Sequence, residues 1–250
     1  MADTPSRRSL IIGGGVAVAA AAGAYAVSRQ MGGVDNSAFK PVSYSFEDSD
    51  ICRLTAAVEE GPFYVDEALI RRDIRDARPG TQTLLRLKIV DDTTCVPISG
   101  ATVDIWHCDA EGTYSAAPAM DKAERTASGH LKPVGDARFL RGRQVADGNG
   151  FVEFVTIYPG WYSGRTPHVH LKVYVSEREA ATTQMFFPKA LSKEIYAATP
   201  AYAKHGQPDT TNDNDGVLHR AQGADGTWPK MTRVGDGLTG TLTIGIARVA

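Results

Sequence analysis

Short runs of this 250-residue chain alternate apolar and polar side chains with a period of two, and that alternation limits the folds open to it more than any other feature. Successive side chains of a strand point to opposite faces, so a period-two run buries one face and leaves the other to solvent or a partner. The run "TLLRLKIV" sets Leu85, Leu87 and Ile89 against Arg86 and Lys88. "ATVDIW", "FVEFVTI", "HVHLKVYV" and "TLTIGIA" are further strand candidates, the last with Leu242, Ile244 and Ile246 on one face. The 25 glycines and 13 prolines recur between such runs, as turn residues do in loop-rich β proteins. Helical signal is confined to short stretches around Asp66 to Arg75 and Ala190 to Ala198. The expected fold class is all-β, a β-sandwich of mixed or antiparallel sheets whose long loops form the functional site.

The ends and the charge narrow the setting. Arg7 and Arg8 precede an uncharged stretch from Leu10 to Val27 that closes on Ala24, Tyr25 and Ala26. This predicts a signal segment over residues 1–30, and the string "SRRSLI" resembles a twin-arginine signal, read by a pathway that exports folded proteins. A membrane anchor is the alternative, although the Gly and Ala content makes the stretch weakly apolar for a permanent span. Membrane association is therefore expected only through this segment, with the protein periplasmic or extracellular. Residues 31–50 are polar and aperiodic and read as a linker, which leaves one catalytic domain over 51–250. With 27 basic against 29 acidic residues and no long basic run, nucleic acid is not an expected partner. Three cysteines, Cys52, Cys95 and Cys108, would meet an oxidising compartment, where one disulfide and one leftover thiol are expected.

The chemistry gathers in "YPGWYSGRTPHVHLKVYV". His168 and His170 lie two apart on one strand, so both imidazoles project from one face, while Val169, Leu171, Val173 and Val175 occupy the other. That arrangement suits a metal at the edge of a core. Tyr162 precedes the pair across a loop containing Gly164, Arg165 and Pro167, which can fold back on the imidazoles. Tyr114 sits in the turn-like "DAEGTYS" after a strand. Each tyrosine could equally be a rim aromatic with a bonded hydroxyl, and a copper or zinc site built on the His pair is a competing reading. So is a non-catalytic β-sandwich binding module.

"EEGPFYVD", "VDIWHCDAEGTYS", "FLRGRQVADGNGFVEFVTIYPGWYSGRTPHVHLKV" and "DTTNDNDG" together resemble the intradiol ring-cleavage dioxygenases, in particular their exported single-domain members. The resemblance runs from about Cys52 to near the C-terminus. It implies a non-haem Fe(3+) site with Tyr114 and His168 as equatorial ligands and Tyr162 and His170 as axial ones. It also implies that Arg165 stabilises negative charge on bound substrate and that Gln184 lies near the substrate. The implied partners are a small aromatic diol and O2, both of whose atoms enter a muconate-type product, and a homo-oligomer is compatible with the family. Two phenolates are hard anionic donors that favour the ferric ion, in contrast to the two-histidine, one-carboxylate set of ferrous oxygenases.

The remaining candidates are weaker. His107 is expected to be structural, and His130, His205 and His219 solvated. "DTTNDNDG" lacks the terminal glutamate of a calcium loop and is expected to be a turn packed near the site. The loop between Tyr162 and His168 is shorter than in the soluble catechol and protocatechuate enzymes. Catechol, hydroxyquinol, protocatechuate and plant-derived diphenols therefore all remain open as substrates.

Overall fold

The computed structural model describes residues 53–247 apart from 68 and 119–121, so the signal and linker readings fall outside the described residues. The eight strands, in chain order, are β1 (Gln82–Asp91), β2 (Thr102–Trp106), β3 (Arg141–Val145), β4 (Phe151–Ile157), β5 (His168–Val175), β6 (Arg178–Phe186), β7 (Lys230–Val234) and β8 (Gly237–Ile246). They form two four-stranded sheets, ordered β4-β1-β8-β7 and β3-β2-β5-β6. Among the strands of the described residues β1 and β8 alone pair in parallel, so the first sheet is mixed and the second antiparallel, in agreement with the expected sandwich.

The period-two faces meet between the sheets. Leu85, Leu87, Ile89, Phe154 and Ile244 from one sheet pack with Val103, Ile105, Val169, Leu171 and Val173 from the other in one buried cluster. The five runs read as strands all occur as β1, β2, β4, β5 and β8. Strands β3, β6 and β7 lie outside those five runs: all three are sheet edges, and their sequences RGRQV, REAATTQMF and KMTRV carry no clean apolar–polar alternation. The second helix candidate is present as α1 (Lys189–Ala198), followed by the short helices α2 (Pro200–Ala203) and α3 (Gly216–Arg220).

The helix expected over Asp66 to Arg75 does not form among the described residues. Its backbone is engaged elsewhere: Arg71 N donates to Arg143 O, Arg143 N to Leu69 O, Ile74 N to Val155 O and Val155 N to Arg72 O. The segment thus laces the edge of β3 to the edge of β4, and tertiary pairing overrides a weak helical propensity. Cys95 is disulfide-bonded, and Cys108 is the free thiol, buried in the core.

Leu171, fully buried opposite the two histidines, tests this packing. Leu171→Ala should lower unfolding stability by about 2–5 kcal/mol, read as a lower urea midpoint at unchanged m-value.

Candidate metal centre

Strand β5 supplies the floor of the site. Its pleat sends Val169, Leu171 and Val173 into the core and His168 and His170 out of the sheet's other face, where both are buried by covering loops. His170 lies parallel to the Trp106 ring of neighbouring β2, with centroids 4.9 Å apart and planes 6° apart. Gly61 also approaches this imidazole: a Cβ there would stand 3.0 Å from His170 Cε1, and its φ is +74°. The glycine of "EEGPFYVD" therefore gives both the turn and the close approach of that loop to the imidazole.

Tyr114 and Tyr162 arrive from two loops. The Tyr114 hydroxyl is 3.4 Å from His168 Nε2, the Tyr162 hydroxyl is 3.3 Å from the same atom, and the two Nε2 atoms are 3.1 Å apart. Phe63 stacks on Tyr114 at 4.4 Å and meets Tyr162 edge-on at 5.8 Å, so an aromatic wall backs both phenols. The structure brings all four ligand candidates together. Among the described residues no group of three or more His, Cys, Asp or Glu side chains could hold a metal, so the two phenols are what turn the histidine pair into a four-donor set.

That set fits a cation. Donors bound roughly 2 Å from one ion sit roughly 3 Å from each other, the spacing found here. His168 Nδ1 donates to Thr166 O at 2.6 Å, which leaves the lone pair on the convergent Nε2. Burial, reinforced by Arg165, depresses the His168 pKa to about 3, and burial with His168 beside it takes His170 well below the ordinary value. Both imidazoles are thus neutral, the ligating form. Burial raises the phenols: Tyr162 to about 12 against the pull of Arg165, and Tyr114 well above its ordinary range with Tyr162 adding to the rise. Only a strong cation at the convergence point would favour the phenolates.

Arg165 flanks this cluster. Its Nε donates to Asp215 Oδ2 at 2.9 Å and its Nη2 to Gln184 Oε1 at 2.5 Å, while Nη1 stands 3.4 Å from the Tyr162 hydroxyl and 3.5 Å from His168 Nε2. Gln184 is buried on β6, directly across from His170 in register, and its Nε2 donates to Glu59 O at 2.7 Å. Both ends of its amide are thus occupied, and it touches the donor cluster through Arg165. Sequence reasoning placed Asp215 within a turn expected near the site and gave it no role of its own. The available signal was an Asp-Gly pair opening a short helix, since Asp215 caps α3 through Val217 N and Leu218 N.

The other histidines separate cleanly. His107 is structural, bonded through Nδ1 to Cys108 O at 2.8 Å and through Nε2 to Thr156 Oγ1 at 2.7 Å. His219 is exposed as expected. His130 and His205 are not simply solvated. His130 is half-buried edge-on to Tyr64 with Glu60 3.5 Å away, and His205 packs on Trp161 and bonds its carbonyl at 2.8 Å. Aromatic neighbours distant in sequence make both correct for packing, which loop context does not reveal.

Fold and site together define a β-sandwich protein carrying a two-tyrosine, two-histidine donor cluster with an adjacent arginine. A family model described as Dioxygenase matches residues 59–213. An intradiol ring-cleavage dioxygenase of known structure from Tetranychus urticae is 35% identical, with 80% of this chain and 97% of that one aligned at a TM-score of 0.71. A chlorocatechol 1,2-dioxygenase from Rhodococcus opacus is 26% identical over 53% of this chain and 56% of its own length. The beta chain of a protocatechuate 3,4-dioxygenase from Burkholderia cepacia is 27% identical over 63% of each. The chain thus spans less than two thirds of the curated relatives it matches. It belongs to the intradiol ring-cleavage dioxygenase family.

His107 gives a pH prediction. Burial lowers its pKa to about 4 from the ordinary 6.5. The unfolded chain then binds a proton that the folded protein refuses. This contribution to stability is intact above about 6.5 and is lost as pH falls towards 4. The urea midpoint of the metal-free protein should drop between pH 7 and pH 5, and His107→Gln should flatten part of that drop.

Proposed function

We propose that this protein is an exported, ferric-iron-dependent intradiol dioxygenase that opens a catechol-type ring between its two hydroxyl-bearing carbons. Catechol and O2 combine into one cis,cis-muconic acid, with both oxygen atoms retained in the product. The observation that carries this reading is the convergence of Tyr114, Tyr162, His168 and His170 beside the Arg165 guanidinium. When bound, Fe3+ would supply Lewis acidity that acidifies the diol and an electron acceptor that makes its ring reactive towards O2.

The chain's own residues do the rest. Tyr114, Tyr162, His168 and His170 would hold the ion, the phenolates balancing two of its charges and the neutral imidazoles adding none. Tyr162 is the better placed of the two phenolates to accept a proton from the incoming diol, because it is only half-buried and Tyr114 is fully enclosed. Arg165 Nη1, beside the Tyr162 oxygen, stabilises negative charge on the deprotonated substrate from a partly buried position. Phe63 and Trp106 line the ligands with apolar surface that limits water. Export is supported by the paired arginines ahead of an uncharged stretch and by the disulfide at Cys95, which suits an oxidising compartment.

The decisive measurement is the visible spectrum of the iron-loaded protein before and after anaerobic catechol. A tyrosinate-to-ferric band that shifts on adding catechol is expected. A protein that stays colourless after ferric reconstitution would overturn the proposal in favour of another metal or a binding module. Tyr162→Phe should weaken iron binding and reduce turnover by at least about 10–100-fold. Full iron content and full turnover in that variant would remove Tyr162 from the ligand set.

A further inference from the structure

The segment 209–215 belongs neither to the core cluster nor to the donor set, yet three of its side chains grip one short stretch of chain. Asp209 accepts from Ser163 Oγ at 2.6 Å and from Gly164 N at 3.2 Å. Asn212 Oδ1 accepts from Thr166 Oγ1 at 2.5 Å, and Asn212 Nδ2 donates to Phe187 O at 2.9 Å. Asp215, fully buried, accepts at Oδ2 from Arg165 Nε at 2.9 Å and Thr166 N at 2.8 Å, and at Oδ1 from Val217 N and Leu218 N. These acceptors recur every third residue and hold residues 163–166, the link between Tyr162 and the histidine pair.

Of the three, Asp215 alone bonds the Arg165 guanidinium beside the donor cluster. A guanidinium is planar and rigid, so fixing two of its nitrogens fixes the third. Asp215 holds Nε and Gln184 holds Nη2, and this leaves Nη1 directed at the Tyr162 oxygen and His168 Nε2. Arg165 otherwise sits on a loop with an exposed glycine and serine before it, where a long side chain would sample many rotamers. The carboxylate is also the matched counter-charge for a mostly buried cation.

We propose that Asp215 is a positioning residue for ring cleavage, acting through Arg165 by aiming Nη1 at the oxygen atoms of the metal-bound substrate. Asp209 and Asn212 brace the loop without touching the guanidinium. The inference rests on the dioxygenase reading above.

A double-mutant cycle on the full iron-loaded chain tests it, with Asp215→Asn, Arg165→Met and the pair combined. Asn is a good helix cap, so α3 keeps its N-terminal acceptor. Asp215→Asn should lower kcat/KM about 10–100-fold while iron content and the tyrosinate band stay unchanged. In the double variant it should add nothing to the loss from Arg165→Met, both in kcat/KM and in the anaerobic catechol dissociation constant. Losses that multiply, or a loss of iron that parallels the loss of activity, would overturn the inference. If Asp215→Asn does not fold, Asp215→Glu carries the same cycle, since it keeps the charge and moves the carboxylate by one methylene. Wild-type protein without a catechol-responsive band would sink the dioxygenase reading, and the inference with it. An active wild type with independent losses would sink the inference alone.

Discussion

The pleat of one strand couples stability to chemistry in this protein. Because side chains of β5 alternate, Val169, Leu171 and Val173 are fixed in the core by the same backbone that fixes His168 and His170 on the other face. A one-residue register slip would exchange the two sets and put imidazoles in the core and valines at the site. The antiparallel pairing of β5 with β2 and β6 prevents that, and it also sets Trp106 and Gln184 on either side of His170. Two of the four convergent donors are therefore as rigid as the sandwich itself.

The other two donors come from loops, and loops need separate restraint. Tyr114 is held by Arg141, a buried guanidinium that donates to Ser115 O through Nε and Nη2 and to Phe63 O through Nη1. That one side chain ties together the loop carrying Tyr114 and the loop whose Phe63 ring stacks on it. The loop carrying Tyr162 is held from outside by segment 209–215. The segment around Gly61 is anchored by Lys172, one pleat along from His170, whose buried ammonium bonds Glu60 at 2.6 Å and Glu179 at 2.7 Å. Regular structure thus carries the imidazoles, and charged side chains bonded to backbone and carboxylates carry the phenols.

This division explains what the sequence revealed. Short apolar runs bounded by turn residues, most of them with a period of two, are a local signal, so five strands of the core were legible, as was the pairing of His168 with His170 on one face. Edge strands β3, β6 and β7 carry no such alternation, although Arg141 of β3 and residues 183–186 of β6 are buried. The stretch from Asp66 to Arg75 has helix-compatible residues, but its fate is decided by Arg143 and Val155, which lie some seventy to eighty positions away. Tyr114 and Tyr162 were recognisable through family motifs and not through spacing. Asp215 and Arg141 act through side-chain bonds to distant loops, which no periodicity records.

Electrostatics bear on which ion the donor cluster would suit under the proposed ferric reading. Burial shifts its phenols upward and its imidazoles downward, and both shifts favour the neutral form. The imidazoles already have the form that binds a metal, so ligation by them needs no proton release. The phenols must each lose a proton against an unfavourable environment, and a weakly polarising cation gains too little from two phenolates to offset that cost. A highly charged, hard ion recovers it, since its own field acts at short range where water is largely excluded. On the proposed ferric reading, selectivity would follow from the mixture of ligands and the depth at which they are buried, with no carboxylate required among the donors.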